Sequence, residues 1–408
     1  MKLLIGSLNY APEPTATGFY TGVLAEELAA KGHNVNVVCS QPFYPKWQIF
    51  PGYSAWRWTR ETLNGVDVRR CPVYIPPRMT TVRRLAHYIS FMVTSFVPIV
   101  LQALREKPDV IVAIAPTIMT GIAVQVAAKL TGAKTWLHVQ DFEVEAGFAT
   151  GQLGSDGIAG RTAMWFSRRM MKSFDRVSSI SSEMVRKLLT NDVKPENAVE
   201  LRNWASIEKV SVQSASSYRE EWGITTPYVA LYSGSIAKKQ GMTMLIDVAR
   251  ELEAANLVTL VICGNGPERA ELEEMASGLR NIQFRDLQPF DRLGDLLAVA
   301  SVHLLPQKRD AADLVLPSKL GNMLASGRPI VAGASIDTAI WREIEACGIA
   351  IEPEDAAAMA AAISSLVPDT ARCTTLGREA RKRAETHWAQ AAIIDQFEAA
   401  LSDLSRCT

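Results

Sequence analysis

Residues 257–268 read LVTLVICGNGPE, an apolar run that stops at the first of two glycines. Leu257 to Cys263 is suited to a buried strand, and the turn Gly264-Asn265-Gly266-Pro267 leads into a helical pattern. The start of such a helix attracts phosphate, and glycine lets a ligand approach the backbone closely. A strand-to-helix turn that binds nothing has the same sequence, so the stretch alone predicts only one strand, turn and helix of an α/β fold.

The alternation of apolar strand and helical pattern continues on both sides of this stretch. The second half of the chain contains further predicted strands at Tyr228–Tyr232, Asn281–Phe284, Val302–Leu305 and Pro329–Ala332. The first half contains predicted strands at Lys2–Gly6, Val35–Cys39, Asp109–Ala113 and Lys134–Val139. Apolar strands that alternate with helices predict a parallel, doubly wound sheet in each half.

The length of the chain, 408 residues, favours two domains, because about 100 to 200 residues form one domain. We expect domains at 1–205 and 206–387, joined by a polar linker from Ala205 to Tyr218. A final helix, from Trp388 to Leu404, is expected to let residues 388–408 pack back on the first domain. Ligands of open α/β sheets bind at the carboxyl ends of the strands, so the domains are expected to face each other across a cleft there.

Composition excludes several classes of function. The chain carries 43 Lys and Arg against 43 Asp and Glu, so no positive excess favours binding to nucleic acid. The six cysteines are scattered, with no Cys-x-x-Cys pair to bind zinc or to act in redox chemistry. The apolar run after Lys2 reaches Asn9 too soon for the core of a signal peptide. These features predict a cytoplasmic protein.

Two further loops in the second half are candidates for phosphate binding. Ser233 to Gly241 joins a strand to a helix and contains two lysines, although an ordinary solvated loop explains it equally well. Leu316 to Pro329 places Ser318 and Lys319 at the start of a helix, with Asn322 one turn further. Lysines and helix N-termini together attract diphosphate, so for this second loop the functional interpretation is favoured.

These segments resemble those of retaining glycosyltransferases of the two-Rossmann GT-B type in family 4, and within it the colanic-acid biosynthesis fucosyltransferase group. The similar segments run in order through nearly the whole chain. They include Asn9-Tyr10 with Pro12-Glu13, Ala29-Ala30-Lys31-Gly32-His33, Pro45-Lys46-Trp47, Arg70-Cys71-Pro72, His138-Val139-Gln140-Asp141, Asn203-Trp204, Tyr232-Ser233-Gly234, Lys239-Gln240-Gly241, Gln307-Lys308-Arg309, Ala311-Ala312-Asp313 and Leu316-Pro317-Ser318-Lys319-Leu320.

The resemblance implies transfer of a sugar from a nucleotide diphosphosugar donor, held by the second domain, to an acceptor held by the first. It also implies that no metal or other cofactor is needed, because protein cations and helix N-termini neutralise the leaving diphosphate. By position, Lys239 and Lys319 would be the phosphate cations, Ser318 a hydrogen-bond donor and Gly18 a point of close backbone approach. The other donor-binding residues implied are Gly234, Ser235, Gly264, Gly266, Leu320 and Asn322.

The chain departs from the wider family at three charged positions. Ser235 stands where the family has an arginine, and Leu314 and Asn322 stand where it has two glutamates. The resemblance implies that Asn322 would hydrogen-bond the ribose, and that Asp313, the nearest acid, would replace the first glutamate against the donor sugar. The departures keep open a non-catalytic scaffold that binds nucleotide sugars.

In the first half, polar residues follow the strand Lys134–Val139. His138 and Asp141 are candidates to polarise the acceptor hydroxyl or to brace the donor sugar, tasks that need an imidazole or a carboxylate near the reacting oxygen. A satisfied core histidine is an equally good interpretation of His138, and Glu143 and Glu145 fit a solvated loop. A functional role is favoured for Asp141.

The region from Arg69 to Arg105 contains no Asp or Glu, and its arginines are Arg69, Arg70, Arg78, Arg83, Arg84 and Arg105. Leu85–Leu104 has the length of a membrane span but is interrupted by polar residues, which predicts an in-plane helix at an anionic leaflet or a core helix with a basic flank. Just before it, seven aromatics are suited to sugar stacking, to a bilayer interface or to a small satellite core. They are Phe43, Tyr44, Trp47, Phe50, Tyr53, Trp56 and Trp58.

We therefore expect a cytoplasmic glycosyltransferase, peripherally associated with the inner membrane. It would move a hexose, with fucose from GDP-fucose as the first choice, to a lipid-linked saccharide in exopolysaccharide biosynthesis. A transferase that uses a UDP-sugar of GlcNAc or glucose and a nucleotide-sugar epimerase are the alternatives among enzymes.

Overall fold

A computed structural model of the chain describes residues 1–14, 16–77, 80–142, 157–210, 217–237, 240–309 and 316–406. The chain divides into two compact units. Unit 1 consists of Met1–Arg202 with Ile394–Thr408, and unit 2 consists of Asn203–Ile393. Part of the expected linker, residues 211–216, lies outside the described residues.

Unit 1 is built on an eight-stranded sheet in which every neighbouring pair is parallel except β3 and β4. The strand order is β3-β4-β2-β1-β5-β6-β7-β8. The strands are β1 (Lys2–Ser7), β2 (Asn34–Ser40), β3 (Thr59–Leu63), β4 (Val66–Cys71), β5 (Val110–Ala115), β6 (Lys134–Val139), β7 (Arg176–Ser179) and β8 (Ala198–Glu200).

One face of this sheet is covered by long helices that bury an apolar stripe. Phe91, Ile99 and Val124 on two of these helices share a core with Leu4 and Leu137 of the sheet, as expected where amphipathic helices cover a sheet. The helices of the first half are α1 (Ala16–Ala30), α2 (Thr81–Glu106), α3 (Thr120–Thr131), α4 (Ile158–Lys172) and α5 (Ser182–Thr190).

Unit 2 is built on a six-stranded parallel sheet of order β11-β10-β9-β12-β13-β14. The chain changes direction across the sheet between β9 and β12, and open α/β sheets bind ligands at the carboxyl ends of such strands. The strands are β9 (Tyr228–Ser233), β10 (Val258–Cys263), β11 (Ile282–Arg285), β12 (Val302–Leu305), β13 (Ile330–Gly333) and β14 (Gly348–Ile351). The helices are α6 (Tyr218–Glu221), α7 (Met244–Glu253), α8 (Arg269–Met275), α9 (Leu293–Ala298), α10 (Lys319–Ala325), α11 (Ala339–Ile344), α12 (Ala356–Leu366) and α13 (Thr370–His387).

A last helix, α14 (Gln390–Arg406), carries the chain from unit 2 to unit 1. Its Phe397 stacks on Trp136 of β6, with ring centres 5.1 Å apart. Glu398 lies 3.1 Å from the Lys31 ammonium and 2.8 Å from His33 Nε2. Because the next residue of β6, Leu137, belongs to the core under α2 and α3, α14 covers Trp136 on the opposite face of the sheet.

The predicted α/β fold with parallel sheets is confirmed. All nine strands expected from apolar runs are present, with ends shifted by at most two residues. The sequence analysis missed β3, β4, β7 and β8, because these strands are short or rich in charged and small residues and lack an apolar run. It also missed β14, whose four residues, GIAI, are apolar but form a very short run.

Candidate functional site

The loops after β9 and β10 in unit 2 pack backbone against backbone. A Cβ atom on Gly264 would lie 1.8 Å from the Gly234 carbonyl oxygen, and one on Gly266 would lie 1.9 Å from the Ile236 carbonyl oxygen. The Ile236 N–H donates to the Asn265 carbonyl at 3.0 Å. Gly264 and Gly266 are thus required by the neighbouring loop, a reason that the sequence did not reveal. Their contact with a donor stays a prediction.

Gly234 itself lies against Lys319, the first residue of α10. Gly234 has a φ of +140°, and a Cβ atom there would lie 3.5 Å from the Lys319 ammonium nitrogen. A backbone in this region is accessible mainly to glycine. The structure thus brings together two of the predicted donor-binding residues at the carboxyl end of β9.

The side chain of Tyr232 contacts both Lys319 and the loop that contains Gly234. The Lys319 Nζ lies 3.8 Å from the centre of the Tyr232 ring, a cation–π distance. The Tyr232 hydroxyl donates to the Ser235 carbonyl oxygen at 2.5 Å, and burial raises the pKa of Tyr232, so the phenol remains a neutral donor. Tyr232 therefore holds both the ammonium group and the backbone of the loop after β9. The sequence analysis quoted this residue only as part of a motif.

Helix α10 is fixed by contacts along its length. The Asn322 Oδ1 accepts the backbone N–H of Ser206 at 2.8 Å, and a Cβ atom on Gly321 would lie 2.5 Å from the Trp388 ring. Leu320 is fully buried in the core beside α10, whereas Ser318 is exposed at the start of the helix. Leu320 and Asn322 thus position the helix, and the ribose contact expected of Asn322 stays a prediction.

Of three other residues expected at the donor site, the structure describes Ser235 but not Lys239 or Asp313. Ser235 is exposed near the start of the loop after β9. Lys239 and Asp313 lie outside the described residues, so their roles also stay predictions. Among the residues that the structure does describe, no three His, Cys, Asp or Glu side chains are grouped to hold a metal ion.

In unit 1 the structure places His138 in the interior. Its Nδ1 lies 2.8 Å from the Ser178 hydroxyl, and its ring meets Phe397 of α14 edge to face at 6.0 Å. Burial lowers the pKa of His138 to about 4, so the imidazole is uncharged at neutral pH. These contacts favour the satisfied core histidine, the second of the two interpretations left open by the sequence.

Asp141 has a different environment. It is exposed two residues beyond the carboxyl end of β6, at the edge of the sheet where ligands of open α/β sheets bind. Glu143 and Glu145 lie outside the described residues. The structure therefore separates His138 from Asp141, and only Asp141 faces solvent.

Gly18 makes room for a buried carboxylate that the sequence analysis did not identify as functional. A Cβ atom on Gly18 would lie 2.6 Å from Glu13 Oε2. The other oxygen, Oε1, accepts the backbone N–H groups of Phe43 and Tyr44, each at 2.9 Å. Burial raises the pKa of Glu13 against the effect of these hydrogen bonds. Glu13 thus connects the loop after β1 to the loop after β2. In the sequence, the one indication that Glu13 matters was its place in a segment similar to the family, Asn9-Tyr10 with Pro12-Glu13.

Arg70 and the aromatic stretch are corrected in part by the structure. Arg70 is buried, contacts Glu61 and donates to the Ala11 carbonyl at 2.5 Å, so it does not contribute to a surface charge. Of the seven aromatics, Phe43 and Trp47 pack together at 5.1 Å, and they join the main core of unit 1 rather than a satellite core. Trp56 and Trp58 remain exposed, by 77% and 60%.

The comparisons with known proteins agree with this organisation. The Glycosyl transferase 4-like domain matches residues 15–204, and Glycosyl transferases group 1 matches residues 227–369. The chain belongs to the GT-B glycosyltransferases of family 4. It is 39% identical over 396 residues to WcaI of Escherichia coli, a glycosyl transferase named for colanic acid biosynthesis; the match covers 94% of this chain and 96% of that protein.

Solved structures share the fold at low sequence identity. Sucrose-phosphate synthase from Thermosynechococcus elongatus superposes with a TM-score of 0.75 at 17% identity and covers 100% of each chain. HepE of Anabaena, solved in complex with UDP, has a TM-score of 0.71 at 16% identity and covers 99% of this chain and 100% of its own. The chain is therefore a glycosyltransferase with two Rossmann-like units, as its sequence predicted.

Proposed function

We propose that this glycosyltransferase moves a sugar, with fucose from GDP-fucose as the first choice, to a lipid-linked saccharide in exopolysaccharide biosynthesis. The match to WcaI over nearly the whole of both chains supports the exopolysaccharide pathway, since that protein is named for colanic acid biosynthesis. Transfer would retain the anomeric configuration and proceed without a metal ion.

Unit 2 would hold the donor. Lys319, with Lys239 as a second cation, would stabilise the charge that develops on the leaving diphosphate, and Ser318 would donate a hydrogen bond to it. Preorganised donors of this kind contribute most where water is excluded. The backbone around Gly234, Gly264 and Gly266 would contact the diphosphate, Asn322 the ribose and Asp313 the donor sugar. In unit 1, Asp141 would polarise the acceptor hydroxyl.

One observation supports this proposal above the others: the ammonium group of Lys319 lies beside Gly234 at the carboxyl end of β9. A cation and an open glycine backbone occur together where the order of the parallel strands reverses. This is the place where phosphate-bearing ligands bind in doubly wound sheets.

A lipid-linked acceptor is supported by helix α2. Its inward face is buried in unit 1, with Phe91, Ile99 and Ala103 fully enclosed. Its outward face carries large apolar side chains at helical spacing, which are Val82, Leu85, Ile89, Val93, Val97, Leu101 and Leu104. In the described part of the chain, the segment Val82–Glu106 is the one helix long and apolar enough to cross a membrane by length and composition. Because its inner face is packed, we propose that it lies in the plane of the membrane surface.

Charged and aromatic residues at the edges of α2 fit an anionic membrane as its partner. Arg83 and Arg84 lie near the start of the helix and Arg105 near its end, where they would attract anionic headgroups. The exposed Trp58 donates its Nε1–H to the Thr94 carbonyl at the middle of α2, at 3.1 Å. Indoles of this kind favour the bilayer interface. This surface would bring unit 1 to a lipid-linked saccharide on the cytoplasmic leaflet.

The decisive experiment compares transfer by the wild type, Lys319→Ala and Lys209→Ala. Lys209 is a matched control, because its ammonium also lies over an aromatic ring of unit 2, 4.2 Å from the centre of Phe290. Loss of a preorganised charge at a leaving group lowers kcat by about 10²- to 10³-fold, so we expect this loss for Lys319→Ala only. Unchanged polymer production by a folded Lys319→Ala variant would overturn the proposal in favour of a scaffold.

The donor is identified by thermal unfolding with GDP, UDP and ADP in turn. A ligand present at 100 times its Kd stabilises the protein by about 2.7 kcal/mol, so a selective nucleotide gives a clear shift. Selective stabilisation by GDP supports a GDP-sugar donor, of fucose or mannose. Selectivity for UDP is compatible with a transferase but excludes GDP-fucose as its donor. A separate analysis of products formed without acceptor tests the alternative enzyme, since a changed nucleotide sugar would identify an epimerase.

A further inference from the structure

A cavity of about 500 Å³ lies in unit 2 at the amino ends of β12 and β13. Ser301, which precedes β12, and Arg328, which precedes β13, line one side, and helix α13 lines the other. The strands of this sheet are parallel, so the cavity opens at the edge opposite to Gly234 and Lys319. It is therefore separate from the proposed donor site.

The lining of the cavity is strongly basic although the chain as a whole is neutral. It contains four cations, Arg328, Arg378, Arg381 and Lys382, and one acid, Glu385. Glu385 is already paired with the Arg381 Nε at 2.6 Å. Among the described residues, the acid that contacts Arg378 is Glu379, at 3.6 Å and outside the lining. Most of the positive charge that lines the cavity is therefore not balanced by an acid in the lining.

Arg381 is held in place by the protein, so part of the cavity lining is preformed. The Arg381 Nη1 donates to the carbonyl oxygens of Val210 and Ala325, at 2.7 and 2.8 Å. The Arg328 Nε is enclosed by protein and has no hydrogen-bond partner among the described residues. A ligand cannot reach this enclosed nitrogen, but the guanidinium group that carries it lines the cavity, and an anion there would offset its positive charge through electrostatic attraction.

We propose that this cavity binds an organic phosphate of the size of a hexose phosphate. Its volume lies in the range of small-molecule sites, about 300 to 1,000 Å³, which is too small for a polymeric anion. Guanidinium groups pair with phosphate oxygens in forked geometry. The hydroxyls of Ser301, Thr370 and Thr374 in the lining would hydrogen-bond the sugar.

The test is isothermal titration calorimetry with glucose 6-phosphate and with inorganic phosphate, at constant ionic strength. The cavity variant is Arg378→Ala/Lys382→Ala, two exposed lining residues. The matched control is Arg372→Ala/Lys209→Ala, which removes the same charge from exposed positions of unit 2 outside the lining. A third variant, Lys319→Ala, alters the proposed donor site.

We expect saturable binding of glucose 6-phosphate to the wild type, at least tenfold weaker binding to the cavity variant, and a change of less than twofold in the other two. Absence of saturable binding to the wild type would overturn the proposal, as would equal weakening in the matched control or loss of binding in Lys319→Ala. A third result would also overturn the proposal: the wild type binds phosphatidylglycerol vesicles but gives no heat with glucose 6-phosphate, and the cavity variant no longer binds the vesicles. The cavity would then bind a lipid headgroup and not a soluble phosphate.

Discussion

The ammonium group of Lys319 lies over the face of the Tyr232 ring, 3.8 Å from its centre. The two residues are far apart in sequence and meet because α10 begins beside the carboxyl end of β9. The ring fixes the position of a charge that the reaction would need at the leaving diphosphate. Tyr232 is therefore a positioning residue for Lys319.

We predict that Tyr232→Leu raises the KM for the nucleotide sugar about tenfold, since a partly desolvated cation–π contact contributes about 1 to 2 kcal/mol. Tyr232→Phe keeps the ring and loses only the hydrogen bond to Ser235, so its KM is expected to stay within about threefold of wild type, because the cation–π contact with Lys319 is retained. Steady-state kinetics with varied donor measures both. The control is Phe290→Leu, under Lys209; an equal rise in its KM would contradict the assignment.

The second prediction concerns the glycine at the end of β10. Gly264→Ala places a methyl group where the Gly234 carbonyl oxygen lies, at 1.8 Å, so the two loops must separate. We expect the free energy of unfolding to fall by about 2 to 4 kcal/mol, as for other steric insertions and backbone strain. Gly278→Ala, with a φ of +90° but open space around it, should cost about 1 kcal/mol. Urea denaturation that ranks the two variants the other way would refute the steric argument.

The third prediction separates the two polar candidates of unit 1. His138→Asn removes the packing against Phe397 and is expected to lower the free energy of unfolding by about 1 to 3 kcal/mol, with kcat/KM within about threefold of wild type. Asp141→Asn, at an exposed position, should leave stability within about 0.5 kcal/mol and reduce kcat by about 10²-fold as expected for a lost catalytic carboxylate. The reverse pattern would restore His138 as the catalytic group.

The fourth prediction is a pH dependence caused by His138. The unfolded imidazole takes up a proton near its ordinary pKa of 6.5, whereas the folded one does so only near about 4. Between these values the unfolded state binds more protons, so wild-type stability falls with decreasing pH, by up to about 1.4 kcal/mol per pH unit from this group. His138→Asn should lack this contribution. Denaturation series for both proteins at pH 7, 6, 5 and 4.5 provide the measurement, and parallel curves would exclude the effect.

The fifth prediction tests the membrane surface of α2. Val93 and Val97 are 60% and 57% exposed on its outward face. Val93→Asp/Val97→Asp should weaken binding to vesicles of phosphatidylglycerol at least tenfold, because burial of one valine contributes about 1.5 kcal/mol or more. Leu130→Asp/Leu189→Asp changes two other exposed apolar residues of unit 1, 58% and 38% exposed, and should leave binding unchanged. Equal loss in both, seen by co-sedimentation, would show that the effect is not specific to α2.

The sequence predicted the parts of this protein that depend on local pattern. Buried parallel strands such as Val258–Cys263 are largely apolar, and in this strand a glycine turn marks the end. Edge strands such as Thr59–Leu63 are mostly polar and exposed, so they carry no such pattern. Single residues are hard to interpret for a related reason: the exposure of a side chain and its contacts in the fold cannot be derived from its neighbours in sequence.

Three residues show this limit in the candidate sites. Tyr232 has an apolar neighbourhood and resembled any core residue, yet its ring holds Lys319. Glu13 follows a proline in a loop and was given no role from the sequence, yet two backbone N–H groups donate to its carboxylate. Arg70 resembled a surface charge, yet it lies in the interior beside Glu61. In each case a residue distant in the chain decides the role.

The route of α14 has a consequence for the synthesis of the protein. A nascent chain that has reached Arg202 has all the strands of the first sheet but not Phe397, which covers Trp136. The ribosome must make the whole of unit 2 before it supplies that cover. Until unit 2 has been made, Trp136 therefore lacks the ring that stacks on it in the complete protein. A premature stop shortly before Phe397 would damage the part of the protein that was synthesised first.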